Sequence, residues 1–268
     1  MDPADSELLA ETLRKTMTAA SGRVLDMALI DLGWPDLLAE FPDVAIPTAF
    51  RLLGETGAHA PLLNDVLLSA AGRHPGGTLP LPYAGGSWVV WDRCDQAGTT
   101  LDADLPLRSV PAPRGGEPVP LAAGRRALGW WLTGLGRAML SLARSHALDR
   151  IQFGRPLASF QAVRHRLAET LVALDGAEAT LLAATASEDD NGLSCLLAKA
   201  AAGHAALTAA RHCQQVLGGI GFTAEHGLHR HVRRALVLDG LLGSSGELTR
   251  EAGRLLRKER SAPRLIHL

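Results

Sequence analysis

Residues 150–161 read Arg-Ile-Gln-Phe-Gly-Arg-Pro-Leu-Ala-Ser-Phe-Gln and separate two long apolar-periodic segments. A polar stretch this short between two such segments predicts a turn joining antiparallel helices. Gly154 permits the sharp backbone, and Pro156 fixes the exit without offering an amide donor. An arginine and two glutamines gathered at one turn are poorly explained by packing. They suit a phosphate-bearing ligand or a neighbouring subunit.

The pattern on either side predicts more helix. One helix is expected over about 124–148, burying Trp130, Trp131, Leu135, Met139, Leu142 and Ala143. A second runs from Gln161 to about Ser187, through Leu167, Leu171, Leu174 and Leu182. After the polar turn at 188–192, an alanine-rich third helix covers 193–217 and stops at Gly218-Gly219. A last helical region starts near Ser245, and the tail from Ser261 is expected to be loose. Together these give an antiparallel four-helix bundle in the C-terminal half.

The first half is expected to hold shorter helices at 6–20, 24–32, 46–56 and 60–71. The first is N-capped by Ser6, and the second stops at Gly33-Trp34-Pro35. The cluster Gly72-Arg-His-Pro-Gly-Gly77 is a boundary. Beyond it, 87–91 reads as a strand and 105–110 as a weaker one, among Pro111, Pro113, Gly115, Gly116, Pro118 and Pro120. That is too little for an independent β-domain. The expected organisation is an N-terminal helical domain (1–77), a reduced β segment (78–121) and the bundle (122–268).

With 268 residues, 47% of them hydrophobic, the chain can bury a sizeable core. No uninterrupted apolar run approaches the ~20 residues of a membrane helix. A formal net charge of -1 points to neither nucleic acid nor an anionic membrane. Cys94, Cys195 and Cys213 lie far apart without ligand spacing, and the N-terminus lacks the basic start and apolar core of a signal peptide. A cytoplasmic protein with free thiols is the expectation.

Several local patterns do not rise to sites. Gly219-Ile-Gly-Phe-Thr-Ala224 matches G-x-G-x-x-A, but a helix rather than a strand precedes it, so a dinucleotide fold is rejected in favour of a glycine-rich helix end. The chemical alternative there is a backbone that a ligand can approach closely. His226, His229 and His231 lack an accompanying ligand of regular spacing and read as structural. His204 and His212 read as core or interface residues. Gly243-Ser-Ser-Gly246 lacks the strand–turn–helix context of a nucleophile elbow and reads as a flexible or anion-contacting loop.

Taken together, Arg150-x-Gln-Phe-Gly-x-Pro, the long helix after it, Lys199-Ala200 and Gln215-Val-Leu-Gly-Gly-Ile-Gly-Phe222 followed by Arg233 resemble the acyl-CoA dehydrogenase family over about 122–250. Asp31-Leu-Gly-Trp-Pro35 extends the resemblance into the N-terminal helices. The resemblance implies a mainly α chain with N-terminal helices, a middle β-domain and a C-terminal four-helix bundle. It implies FAD as cofactor and an acyl-CoA substrate losing an α-proton to a base and a β-hydride to the flavin. It also implies that the bundle reaches the ADP half of a neighbouring subunit's FAD. The matching positions are Arg150, Ile151, Gln152 and Phe153 in the turn, Phe160 and Gln161 at the next helix start, and Gln215 through Gly218 and Gly219. Arg125 matches an arginine near the acyl-CoA entrance.

The departures from the family pattern are as informative. The flavin-contacting Thr-Gly-x-Lys-x-Trp-Ile segment of the middle domain is missing. The two positions where family members carry the glutamate base fall on Leu242 and Gly124, neither of which accepts a proton. Glu247 is near, but at the wrong offset. The resemblance therefore implies a small, degenerate subunit of a heteromeric acyl-CoA dehydrogenase, as in bacterial steroid-degrading α2β2 enzymes. Such a chain is inactive alone and completes the FAD site of a full-length partner that holds the acyl-CoA. The alternatives are a structural scaffold subunit without flavin contact and a flavin monooxygenase-like relative.

Overall fold

The computed structural model describes residues 1–93, 100–102, 104–115, 119–187 and 192–260. Cys94, Gly116, Pro118, the acidic residues of the 188–191 turn and the tail from Ser261 lie outside them.

Five helices open the chain: α1 (Pro3–Ala19), α2 (Gly22–Asp31), α3 (Trp34–Glu40), α4 (Pro42–Thr56) and α5 (Leu62–Ala70). Asp2 caps α1 by accepting from Asp5 N at 2.8 Å, so Ser6 lies inside the helix rather than at its cap. The expected stop at Gly33-Trp34-Pro35 is also a start. Gly33, at φ +82, ends α2, and Pro35 falls in the first turn of α3, where its missing N–H costs nothing.

The middle segment forms a four-stranded antiparallel sheet of order β1-β2-β4-β3, with β1 (Pro80–Tyr83), β2 (Ser87–Trp91), β3 (Thr100–Asp102) and β4 (Leu105–Val110). The alternation of Val89 and Trp91 buries one face of β2. Trp91 stacks on Trp131 with ring centroids 5.5 Å apart, and Phe50 meets Trp131 edge-on at 5.8 Å. One hydrophobic core runs from Leu13 to Leu242, so all three segments share it.

The bundle is α6 (Leu121–Asp149), α7 (Gln161–Thr185), α8 (Leu193–Leu217) and α10 (Ser245–Glu259), with α9 (Leu228–Gly240) crossing beside them. Small residues let these helices approach closely. A Cβ on Gly134 would lie 2.2 Å from Arg51 O, and one on Gly54 would lie 2.5 Å from Leu135 N, so α4 and α6 touch backbone to backbone. The segment Leu193–Phe222 is long and apolar enough to cross a membrane, which the sequence reading did not expect. Its apolar stretch is 72% buried inside the fold, as in a core helix.

Candidate functional site

The residues 150–161 form a small hairpin at the far end of α6. Ile151–Gln152 (β5) pairs antiparallel with Arg155–Pro156 (β6), and Phe153 and Gly154 make the tip at φ +53 and +75. Two consecutive positive φ values are what a two-residue hairpin turn of type I′ needs. Glycine meets that demand freely, whereas for phenylalanine it costs about 1–2 kcal/mol. Phe153 is also 90% exposed. Phe160 stands edge-on to it at 6.1 Å, and Arg155 lies over the Phe160 ring at 4.2 Å.

Beside the hairpin lies an open cavity of about 410 Å³. Arg150, Gln152 and His146 line one side, and Gly218, Gly219 and Ile220 the other. Arg150 has no carboxylate partner among the described residues. Its backbone N–H closes α6 on His146 O at 2.9 Å. Gln152 donates only to the adjacent Ile151 O. Gly218 ends α8 at φ 66, ψ -141, a backbone region essentially restricted to glycine. A Cβ at Gly218 or Gly219 would meet nothing within 4 Å, so open space adjoins this backbone. His146 has its pKa lowered, first by burial and then by the charges of His226 and Arg150.

The fold thus brings Arg150, Gln152, Gly218 and Gly219 to one cavity. Phe153, Phe160, Gln161 and Gln215 do not line it, and Phe153, Gln161 and Gln215 are exposed. His146 and Ile220 are lining residues that the sequence reading passed over. His146 sits one helical turn before Arg150, and that spacing was the available signal.

At the other end of α6, the two positions expected for a base meet. A Cβ on Gly124 would lie 2.7 Å from Leu67 Cδ2 and 2.9 Å from Leu242 Cδ1. Leu67 and Leu242 are both fully buried, so this junction is a packed apolar knot. Leu242 has φ +58, and its N–H donates to Pro82 O at 2.8 Å, which straps the loop to β1. Arg125 Nε donates to Leu242 O at 3.2 Å, and its guanidinium lies 3.7 Å from Glu251. Arg125 therefore braces the knot. The fully buried Lys199 does the same, donating to Asp239 O and Gly243 O, and burial draws its pKa down to about 8.

Glu247 is also committed. It closes a capping box with Ser244 at the start of α10, accepting from Ser244 N at 2.9 Å, and it accepts from Gly85 N at 2.9 Å. These backbone donors hold its pKa down at about 2, too weakly basic to take up a substrate proton.

Residues 119–254 match the family model of the acyl-CoA dehydrogenase C-terminal domain. The chain belongs to the acyl-CoA dehydrogenase family. Two curated relatives from Mycobacterium tuberculosis illustrate the likeness. Acyl-CoA dehydrogenase FadE34 is 34% identical over 78% of this chain and 31% of its own length. Acyl-CoA dehydrogenase IpdE2 is 38% identical over 44% of this chain and 36% of its own. The chain thus spans about a third of these relatives. Two solved structures share the fold over almost their full length. A chain of the ChsE4-ChsE5 complex from Mycobacterium tuberculosis has a TM-score of 0.71 at 19% identity, covering 98% of this chain and 99% of that one. The Tcur3481-Tcur3483 steroid ACAD variant has a TM-score of 0.67 at 18% identity, covering 97% and 99%. The mainly α, acyl-CoA dehydrogenase-like fold expected from the sequence is therefore the observed one.

Proposed function

We propose that this acyl-CoA dehydrogenase family member is a base-free subunit of a heteromeric, FAD-dependent enzyme. It completes the ADP side of the FAD site of a full-length partner subunit in a heterotetramer. The observation that carries this reading is the open Arg150 cavity beside an exposed phenylalanine held at positive φ. A strained apolar tip in water is unfavourable unless another surface covers it.

The residues fit one part of the cofactor. Arg150 supplies a guanidinium with no carboxylate partner among the described residues for a pyrophosphate, Gln152 a side-chain amide bonded only to the adjacent Ile151 O, and Gly218 and Gly219 a backbone that a ligand can approach. FAD, when bound, accepts the hydride removed from the acyl-CoA. In this chain no residue at Gly124 or Leu242 takes the α-proton, and the packed knot leaves no room for an acyl group, so substrate binding and proton removal fall to the partner. A steroid-derived CoA thioester is the substrate class we favour. Its support is the fold shared with a steroid ACAD.

Co-expression of the chain with its partner, followed by flavin absorbance of the purified complex, tests the reading. Arg150→Ala is expected to lower FAD content. Full FAD content and unchanged activity in that variant would leave a scaffold subunit as the better description. A stoichiometric yellow chromophore on the chain purified alone would overturn the base-free, incomplete-site reading.

A further inference from the structure

A cleft of about 650 Å³ shares no lining residue with the Arg150 cavity. It lies where the starts of α2 and α9, the α4–α5 loop and the sheet end at Trp91 come together. Four arginines line it: Arg23, Arg93, Arg230 and Arg234. So do three aspartates, and each of these has an arginine neighbour. Asp26 binds Arg93 at 2.6 Å, Asp92 binds Arg108 at 2.8 Å, and Asp104 lies 3.7 Å from Arg233. Arg23, Arg230 and Arg234 are left without a carboxylate within ion-pair distance among the described residues.

Arg234 is the most telling of the three. It is 5% exposed, and its Nη1 is spent on the carbonyls of Gly57 and Ala58. Its Nε has no partner. Desolvating a guanidinium against two carbonyls, with Asp102 and Asp104 acting on it only from beyond ion-pair distance, is costly. The same walls hold other unpartnered buried polar atoms: His59 Nδ1, His231 Nδ1, Arg93 Nε and Trp91 Nε1. That concentration marks a polar wall whose hydrogen bonding the described residues do not complete. Burial, followed by the charge of Arg234, lowers the pKa of His59 and of His231 to about 4. Both imidazoles are then neutral near pH 7, and each offers one donor and one acceptor.

We propose that this cleft binds a phosphate-class anion, a small molecule carrying a phosphomonoester or a diphosphate, through Arg23, Arg230 and Arg234. Two exposed guanidiniums and a buried one, none with a carboxylate within ion-pair distance among the described residues, call for more than the single charge of a monocarboxylate. Their forked donors match the oxygens of a phosphate. The volume exceeds that of the anion alone and leaves room for an organic body.

Titration calorimetry on the full chain at constant ionic strength tests this, with pyrophosphate, inorganic phosphate and citrate as probes. Pyrophosphate is expected to bind saturably, and Arg230→Gln and Arg23→Gln each to weaken it by about tenfold. Arg230 and Arg23 are exposed, so both variants should keep the fold. Absence of saturable pyrophosphate binding overturns the proposal. Binding retained in both cleft variants overturns it too, and loss in a parallel Arg150→Gln variant would then place the anion in the hairpin cavity. Tighter binding of citrate than of pyrophosphate overturns the phosphate assignment. The FAD content of the partner complex is measured separately and depends on Arg150 rather than on Arg23 or Arg230, so the two readings can fail separately.

Discussion

The two ends of α6 received opposite treatment. Gly124 and Arg150 lie at opposite ends of it, ~39 Å apart at 1.5 Å per residue. At the Gly124 end, Leu67 and Leu242 fill the space that a reacting group would need. At the Arg150 end, the space beside Gly218 and Gly219 stays open, with Arg150, Gln152 and His146 among its lining residues. Loss of a chemical group alone would leave a hollow where the base belongs. Here the hollow is closed and strapped to β1 through Leu242 N and Pro82 O. The difference separates an end built for the stability of this chain from an end whose cavity the described residues leave unfilled.

If that division is right, the knot should respond to substitution as core. Leu242→Glu places a carboxylate where Leu67 and Gly124 leave no room and no partner, so a loss of about 3–5 kcal/mol is expected. Urea unfolding of the purified chain reads it. A variant as stable as the parent would show that the knot is loose and that a base could be accommodated. Leu67→Ala removes the apolar filler and should cost about 2–5 kcal/mol, depending on how far Leu242 collapses into the space.

The open end should behave in the reverse way. Phe153→Asn removes an exposed ring from a position that asparagine tolerates better, and should stabilise the isolated chain by about 0.5–1 kcal/mol. The same substitution should weaken assembly with the partner, measured by the concentration at which the complex dissociates. A variant that assembles as well as the parent would detach the hairpin tip from the interface. Arg150→Ala should change the stability of the chain alone by less than about 0.5 kcal/mol, because no ion pair is lost.

How much of this was legible in the sequence follows from the range of the interactions. Helix α8 was readable at both ends, because an alanine-rich run is closed by Gly218-Gly219 and Gly218 has a φ/ψ that glycine tolerates. The hairpin was readable as a turn, because Gly154 and Pro156 act locally. Helix α3 was missed, because a Gly-Trp-Pro sequence both stops one helix and starts the next. Strands β1 and β3 were missed, because they are short and stabilised by partners in β2 and β4. The meeting of Gly124 with Leu242 could be anticipated only through family resemblance, since 117 positions separate them and no periodicity joins them. The arginine cleft left no local mark at all. Its residues come from segments scattered between Ser21 and Arg234, and His231 had looked like one of three structural histidines.

The smallest expected effect concerns the closed end and Glu247, a carboxylate close to it. Glu247 has a folded pKa of about 2, below its ordinary value of 4.5, because Gly85 N, Ser244 N and the Ser244 hydroxyl all donate to it. A carboxylate depressed in this way stabilises the fold above pH 4.5, and that contribution is lost as the pH falls through the interval down to about 2. The group is solvent-accessible, so the effect is modest. Glu247→Gln should therefore flatten the acid limb of the stability curve between those values and leave the neutral limb almost unchanged. Comparison of denaturant midpoints from pH 2 to pH 7 would show it. An unaltered acid limb in the variant would mean that the capping box is not held by charge. Glu247 would then be freer than its bonds to the turn after β1 and to the cap of α10 imply, and the contrast between a fixed end and an open end of α6 would weaken.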